Sequence, residues 1–246
     1  MNFIKKHLSL FVFLYFTLIV FIFRNELFIP SVSIKSEEIV KEQAAKRSVL
    51  IEWETASWSG IILSSSLLET KILTIVHEDS MKRISNSNNK KINISFNDGK
   101  KYEALIERWS PCNELSILTI PGGTVSNLPD IILESDSSKI SERLFSFGHP
   151  LGLNLHYAEG YLSSKGNRIK SCGMITNGFS GGTIPGQTGS GVWNFQGELS
   201  GLIIATSAYP IKTSDKNGVV IGSSAIPITF LGRYITSRDV KSFLED

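Results

Sequence analysis

The stretch Pro185-Gly186-Gln187-Thr188-Gly189-Ser190-Gly191-Val192 sets a hydroxyl residue, Thr188, among three glycines. Glycines at 186, 189 and 191 let the backbone turn sharply and come close to a bound group. A threonine hydroxyl held there can act as a nucleophile. The chain has four histidines, His7, His77, His149 and His156. An imidazole gains and loses a proton near neutral pH, which acyl transfer requires.

The elements that must position these groups lie in a chain of 246 residues with 25 basic and 23 acidic side chains and a net charge of +2. That balance points to no nucleic-acid partner, and Lys90-Lys91, beside Asn-rich sequence, reads as a solvated loop. The two cysteines, Cys112 and Cys172, form no C-x-x-C and no metal-type spacing. No metal or organic cofactor is implied. If the domain lies outside the cytoplasm, a disulfide between the two cysteines is open, but spacing does not place them within bridging distance.

Residues 1–30 stand apart. Lys5 and Lys6 precede an uncharged apolar run from Leu8 to Phe23, closed by Arg24. At about 16 residues the run is near the short limit for a spanning helix. A cleaved signal peptide would have small residues close behind its apolar core, whereas Ser31 and Ser33 lie well beyond Phe23. An uncleaved membrane anchor is the favoured reading, with the N-terminus in the cytoplasm and the rest across the membrane.

Residues 31–45 read as a linker with a short helix, Ser36 to Arg47, capped by Ser36 with Glu37 and Glu38 in its first turn. From 46 to 246 the pattern is one domain of short strands. Val49–Trp53, Trp58–Ser64, Ile72–Val76, Lys91–Phe96, Tyr102–Arg108 and Leu115–Ile120 come first. Ile131–Glu134, Leu144–Gly148, Asn154–Ser164, Gly189–Phe195, Leu199–Ser207 and Val219–Ala225 follow. Asp98-Gly99 is a hairpin turn. Such a series predicts an all-β sandwich or pair of barrels, with Pro227 to Leu244 as a C-terminal helical region.

Seven segments, in order, resemble the HtrA-like trypsin-type serine proteases. Trp58-Ser59-Gly60-Ile61-Ile62 is similar to their G-S-G-F-I-I strand, and Leu73-Thr74-Ile75-Val76-His77 to L-T-N-N-H. Ile94 to Ala104 resembles V-T-L-S-D-G-R-E-F-x-A, and Glu114 to Ile120 resembles D-L-A-L-L-K-I. Ser146 to Leu153 resembles I-G-N-P-F-G-L, Asn194 to Gly201 resembles N-L-N-G-E-V-I-G, and Ala225-Ile226-Pro227 matches A-I-P. The glycine loop is similar to G-N-S-G-G-P, with Thr188 at the serine.

The resemblance implies a chymotrypsin-like double β-barrel and an endopeptidase acting on protein or peptide substrates. It implies His77 as base, Glu114 in place of the orienting aspartate, Thr188 as nucleophile, and an oxyanion hole at the N–H groups of Gly186 and Thr188. Ser180, in Gly178-Phe179-Ser180-Gly181-Gly182, mimics G-x-S-G-G and is the alternative nucleophile, although it would insert about eight residues before the Gly197 turn, against the spacing the family keeps. Ser190 lies too far along the loop to meet the histidine. His149 replaces the family's turn asparagine and reads as a loop residue. Strand residues around Ile203–Ser207 would line a specificity pocket for a small or apolar side chain. Members commonly form homotrimers and often carry a PDZ domain, for which this chain ends too soon. Threonine's extra methyl restricts χ1, so a pseudoprotease that holds an extended peptide in the old cleft is the alternative function.

Overall fold

The structure, a computed structural model, describes residues 36–122, 128–135, 138–169, 174–214 and 220–246, with the backbone alone at 168–169, 174, 205–214 and 220–231. The expected membrane segment, residues 1–30, lies outside these, as does Cys172 and with it the question of a disulfide. Among the described residues no helix is long and apolar enough to cross a membrane.

Six strands close the first barrel: β1 (Ser48–Trp53), β2 (Ala56–Ser65), β3 (Glu69–Ile75), β4 (Ile92–Phe96), β5 (Lys101–Trp109) and β6 (Leu115–Pro121), in the order β1-β2-β3-β6-β5-β4. Closure follows from the period-two pattern. In β4, Ile92, Ile94 and Phe96 turn inward while Asn93 faces out, and closing the sheet leaves no apolar edge unpaired. Inside lie Val49, Ile51, Ile62, Ile72, Ile94 and Leu118, each fully or nearly fully buried. Burying each such side chain contributes about 1.5–3 kcal/mol. The hairpin at Asp98-Gly99 forms as expected, with Gly99 at φ 85°.

The second sheet holds β7 (Ile132–Leu133), β8 (Arg143–Gly148), β9 (His156–Ile169), β10 (Met174–Phe179), β11 (Gly191–Asn194), β12 (Glu198–Ser214) and β13 (Val220–Thr236). Its order is β11-β8-β9-β10-β13-β12-β7, and an additional β11–β12 pairing closes the ring. The fold is therefore the expected all-β double barrel of chymotrypsin type. A core shared by both barrels contains Ile61, Leu73 and Leu115 from the first and Phe145, Trp193 and Leu202 from the second. Helix α1 (Glu37–Arg47) sets Val40 and Ala44 into that core, and the Arg47 guanidinium donates to the Ile62 carbonyl at 2.8 Å.

One expectation is corrected, and one helix is added. The C-terminal helical region does not begin at Pro227: residues through Thr236 continue β13, paired to β12 and β10, and only α3 (Ser237–Glu245) is helical. The stretch Ile-Thr-Phe-Leu-Gly-Arg-Tyr-Ile-Thr is rich in residues that fit a pleated surface, and its two neighbours supply the backbone partners. Helix α2 (Glu78–Asn86), directly after His77, was not anticipated. Ile84 is its one fully buried residue, so its polar sequence carries little apolar signal.

Candidate active site

Strand β3 runs antiparallel to β6, with Ile75 opposite Leu115. That register brings Val76 and His77 beside Glu114. The Val76 N–H donates to the Glu114 carbonyl at 2.9 Å. His77 Nδ1 lies 2.7 Å from Glu114 Oε2. A carboxylate there accepts, so Nδ1 carries the proton and Nε2 is left as the basic nitrogen. Glu114 Oε1 accepts the Glu78 N–H at 3.0 Å. His77 is the N-cap of α2 and makes no side-chain cap of its own; the Glu114 carboxylate satisfies the first free N–H instead, where the helix dipole favours negative charge.

Glu114 has φ 58°, a left-handed conformation that costs a side-chain-bearing residue on the order of 1–3 kcal/mol. The turn holding it is closed by Glu114 N–H to the Ser110 carbonyl at 2.8 Å and Ser110 N–H to the Leu115 carbonyl at 2.9 Å. Burial alone would raise the Glu114 pKa. The His77 hydrogen bond, the Glu78 N–H and the His77 charge outweigh it and hold the carboxyl below its ordinary value.

The glycine loop faces this pair across the barrel junction. Gly186 and Gly189 sit at φ 96° and 85°. A Cβ on Gly186 would stand 2.4 Å from Leu151 N, and one on Gly189 would stand 2.1 Å from the Ser59 carbonyl oxygen. Gln187 is fully buried, and its Oε1 accepts the Ile184 N–H at 2.7 Å. The loop is tied to β12 through Gly189 N–H to the Ile203 carbonyl at 2.7 Å, and to β2 through Ser59 N–H to the Thr188 carbonyl at 2.8 Å. Among the described residues, the N–H groups of Gly186 and Thr188 donate to no backbone carbonyl.

Thr188, Gly186 and His77 line one cavity of about 130 Å³, with Ser57, Trp58 and Ser80. The Thr188 hydroxyl points to the Ile204 carbonyl at 3.5 Å, a weak contact. Ser180 does not line this cavity; its Oγ accepts the Tyr161 N–H at 2.8 Å on β9. Ser190 is fully buried and also outside the cavity. The side chains of residues 205–207, expected in the specificity pocket, are outside the described set.

Two residues gain roles that the sequence did not signal. Ser59, fully buried, donates its hydroxyl to the Gly186 carbonyl at 2.8 Å and accepts the His149 N–H at 2.9 Å. His149 lies in a loop, as expected, but is buried. It is 5% exposed, with Nδ1 on the Leu153 carbonyl at 3.0 Å, and burial lowers its pKa. Only the small hydroxyl within Trp58-Ser59-Gly60 hinted at Ser59; nothing local marked His149.

This double barrel, with a histidine–carboxylate pair facing a glycine loop, is of a known class. The trypsin-like peptidase domain family matches residues 58–202. The chain belongs to that family and is HtrA-like; such domains are serine-type peptide hydrolases. A probable periplasmic DegP-like serine endoprotease of Chlamydia pneumoniae is 27% identical over 148 residues, 59% of this chain and 28% of the relative. A counterpart from Buchnera aphidicola subsp. Schizaphis graminum is 26% identical over 149 residues, 54% of this chain and 29% of the relative. The chain thus spans under a third of the length of either. In fold it is similar to the HtrA-type protease AlgW with tripeptide, with a TM-score of 0.63 at 18% identity, covering 85% of this chain and 62% of that one.

Proposed function

We propose that the chain is a membrane-anchored endopeptidase that hydrolyses peptide bonds of proteins outside the cytoplasm. Residues 1–30 serve as anchor, 31–45 as linker and short helix, and 46–246 as protease domain. The reading rests on one observation: His77 is paired to Glu114 at 2.7 Å and shares a cavity with Thr188 and Gly186. Thr188 Oγ attacks the scissile carbonyl carbon while His77 Nε2 takes its proton. The oxyanion sits on the N–H groups of Gly186 and Thr188, and Glu114 stabilises the imidazolium. The C–N bond breaks as His77 returns the proton to the leaving amine. Water, deprotonated by His77, then hydrolyses the threonyl ester and regenerates the hydroxyl. The periplasmic names of the relatives support the extracytoplasmic side. The resemblance further supports a homotrimer as the working assembly.

The pseudoprotease reading is favoured by one contact, the Thr188 hydroxyl turned to the Ile204 carbonyl. Hydrolysis of denatured casein by the full chain separates the two. Cleavage lost in Thr188→Ala and raised in Thr188→Ser establishes the enzyme. A silent wild type switched on by Thr188→Ser establishes a domain kept for binding. Loss in Ser180→Ala, with Thr188→Ala still active, moves the nucleophile to Ser180.

A further inference from the structure

Strand β5 ends on Trp109, five residues before Glu114. Its indole N–H donates to the Val76 carbonyl at 2.8 Å. That carbonyl belongs to the peptide bond that enters His77. On the other side of the same residue, the Val76 N–H donates to the Glu114 carbonyl at 2.9 Å. Both polar groups of Val76 are therefore held by the segment that carries Glu114. Val76 is 1% exposed, so water has little access to take over from the indole. Trp109, like Met81 of α2 and Ile106 of β5, is partly buried against the first barrel's core, and the three also border a cavity of about 480 Å³. Its hydrogen bond reaches His77 through the Val76 carbonyl, and its ring is absent from the lining of the cavity that His77 shares with Thr188.

We propose that Trp109 is a positioning residue for His77: its N–H sets the plane of the Val76–His77 peptide, and so the direction in which the imidazole meets both Glu114 and the cleft. This rests on His77 being the base of the reaction proposed above. The physical reason is leverage. The peptide after His77 is fixed by α2, where the Met81 N–H donates to the His77 carbonyl at 2.8 Å; on the other side the ring inherits any rotation of the Val76–His77 peptide, and a misplacement of about 1 Å in such a site costs on the order of 10²-fold in rate. Glu114 holds the ring along their shared hydrogen bond and α2 holds the peptide that follows His77; the indole restrains the carbonyl of the peptide that precedes it.

The test replaces Trp109 in the full chain, in detergent, with β-(3-benzothienyl)alanine. This has the outline of tryptophan with sulfur in place of the N–H. Trp109→Phe serves as a second variant. Two quantities are read: kcat and KM on denatured casein, and the downfield proton resonance of the His77 Nδ1–H bound to Glu114, assigned by its loss in His77→Gln. The benzothienyl chain should melt within a few degrees of wild type and keep KM within about twofold, while kcat falls roughly tenfold or more and the resonance broadens or moves upfield. Unchanged kcat together with an unchanged resonance would overturn the proposal and reduce Trp109 to packing. A wild type whose resonance stays absent on cooling, where exchange of the half-exposed ring with water slows, defeats the His77–Glu114 reading itself, and the proposal with it. A wild type that shows the resonance but cleaves nothing, and loses it on benzothienyl replacement, sustains Trp109 while the fault lies with Thr188.

Discussion

The Ser59 hydroxyl donates to the Gly186 carbonyl at 2.8 Å, joining β2 of the first barrel to the glycine loop. Every polar group of Ser59 is engaged: its N–H on the Thr188 carbonyl, its carbonyl under the Thr74 hydroxyl at 2.6 Å, and its Oγ also under the His149 N–H. One buried residue thus orients both ends of Gly186-Gln187-Thr188. Ser59→Ala leaves the Gly186 carbonyl and the His149 N–H unpaired, each costing about 1–3 kcal/mol. Denaturant unfolding should show a loss of roughly 2–6 kcal/mol, and kcat should fall more than KM rises. A stability within about 0.5 kcal/mol of wild type, the range of an ordinary surface change, would refute this role.

The Glu114 carboxylate accepts from both His77 Nδ1 and the Glu78 N–H, on a backbone at φ 58°. Glu114→Asp, although it restores the family's residue, should lower kcat about tenfold, because the shorter carboxylate cannot hold His77 and cap α2 together. Glu114→Gln keeps the shape but can present its amide to Nδ1 and stabilise the wrong tautomer, so kcat should fall on the order of 10³-fold or more. Steady-state kinetics decide, and an aspartate variant faster than wild type counts against the argument.

Acid should destabilise the domain in two stages. Burial lowers the pKa of His149 below its ordinary 6.5. Below pH 6.5 the unfolded chain takes up a proton that the folded chain resists, so stability is whole above that value and declines as pH falls toward the folded pKa. Glu114, held below its ordinary 4.5, acts in the next window: its contribution is full above 4.5 and is lost as pH falls through the folded value. Glu134, raised by burial above 4.5, opposes this in part, since its folded form holds a proton longer. Melting temperatures from pH 7 to 5 should fall less steeply in His149→Asn than in wild type; parallel curves would exclude His149 as the titrating group.

Gly189→Ala should not yield a native chain. Its Cβ would meet the Ser59 carbonyl oxygen at 2.1 Å and the Thr74 hydroxyl at 2.4 Å, on a backbone at φ 85°. Backbone strain and overpacking together exceed about 3 kcal/mol. Soluble expression with a native melting transition would contradict the close packing of the loop on β2.

Strand positions were legible because inward and outward residues alternate, as in Ile92-Asn93-Ile94-Ser95-Phe96, and because turn residues bound each run. The glycine loop was legible for a similar reason: Gly186 and Gly189 occupy left-handed positions where a side chain would strike β2 or the Pro150 turn. Helix α2 was hidden because capping by Glu114, distant in sequence, and one buried isoleucine stabilise it rather than an apolar stripe. From Pro227 to Thr236 the local residues suit a strand, but the length of β13 is decided by its pairing with β10 and β12, which are distant in sequence.

By itself, then, the sequence determined which residues could do chemistry and that the chain would form two sets of short strands, since residue type, glycine placement and period-two burial are local properties. Tertiary structure alone decided how those residues meet. The β3–β6 register sets His77 beside Glu114, and hydrogen bonds from Ser59 and Trp109 reach the Gly186 and Val76 carbonyls. Each of these is a contact between segments far apart in the chain, and its geometry exists only once the barrels have closed.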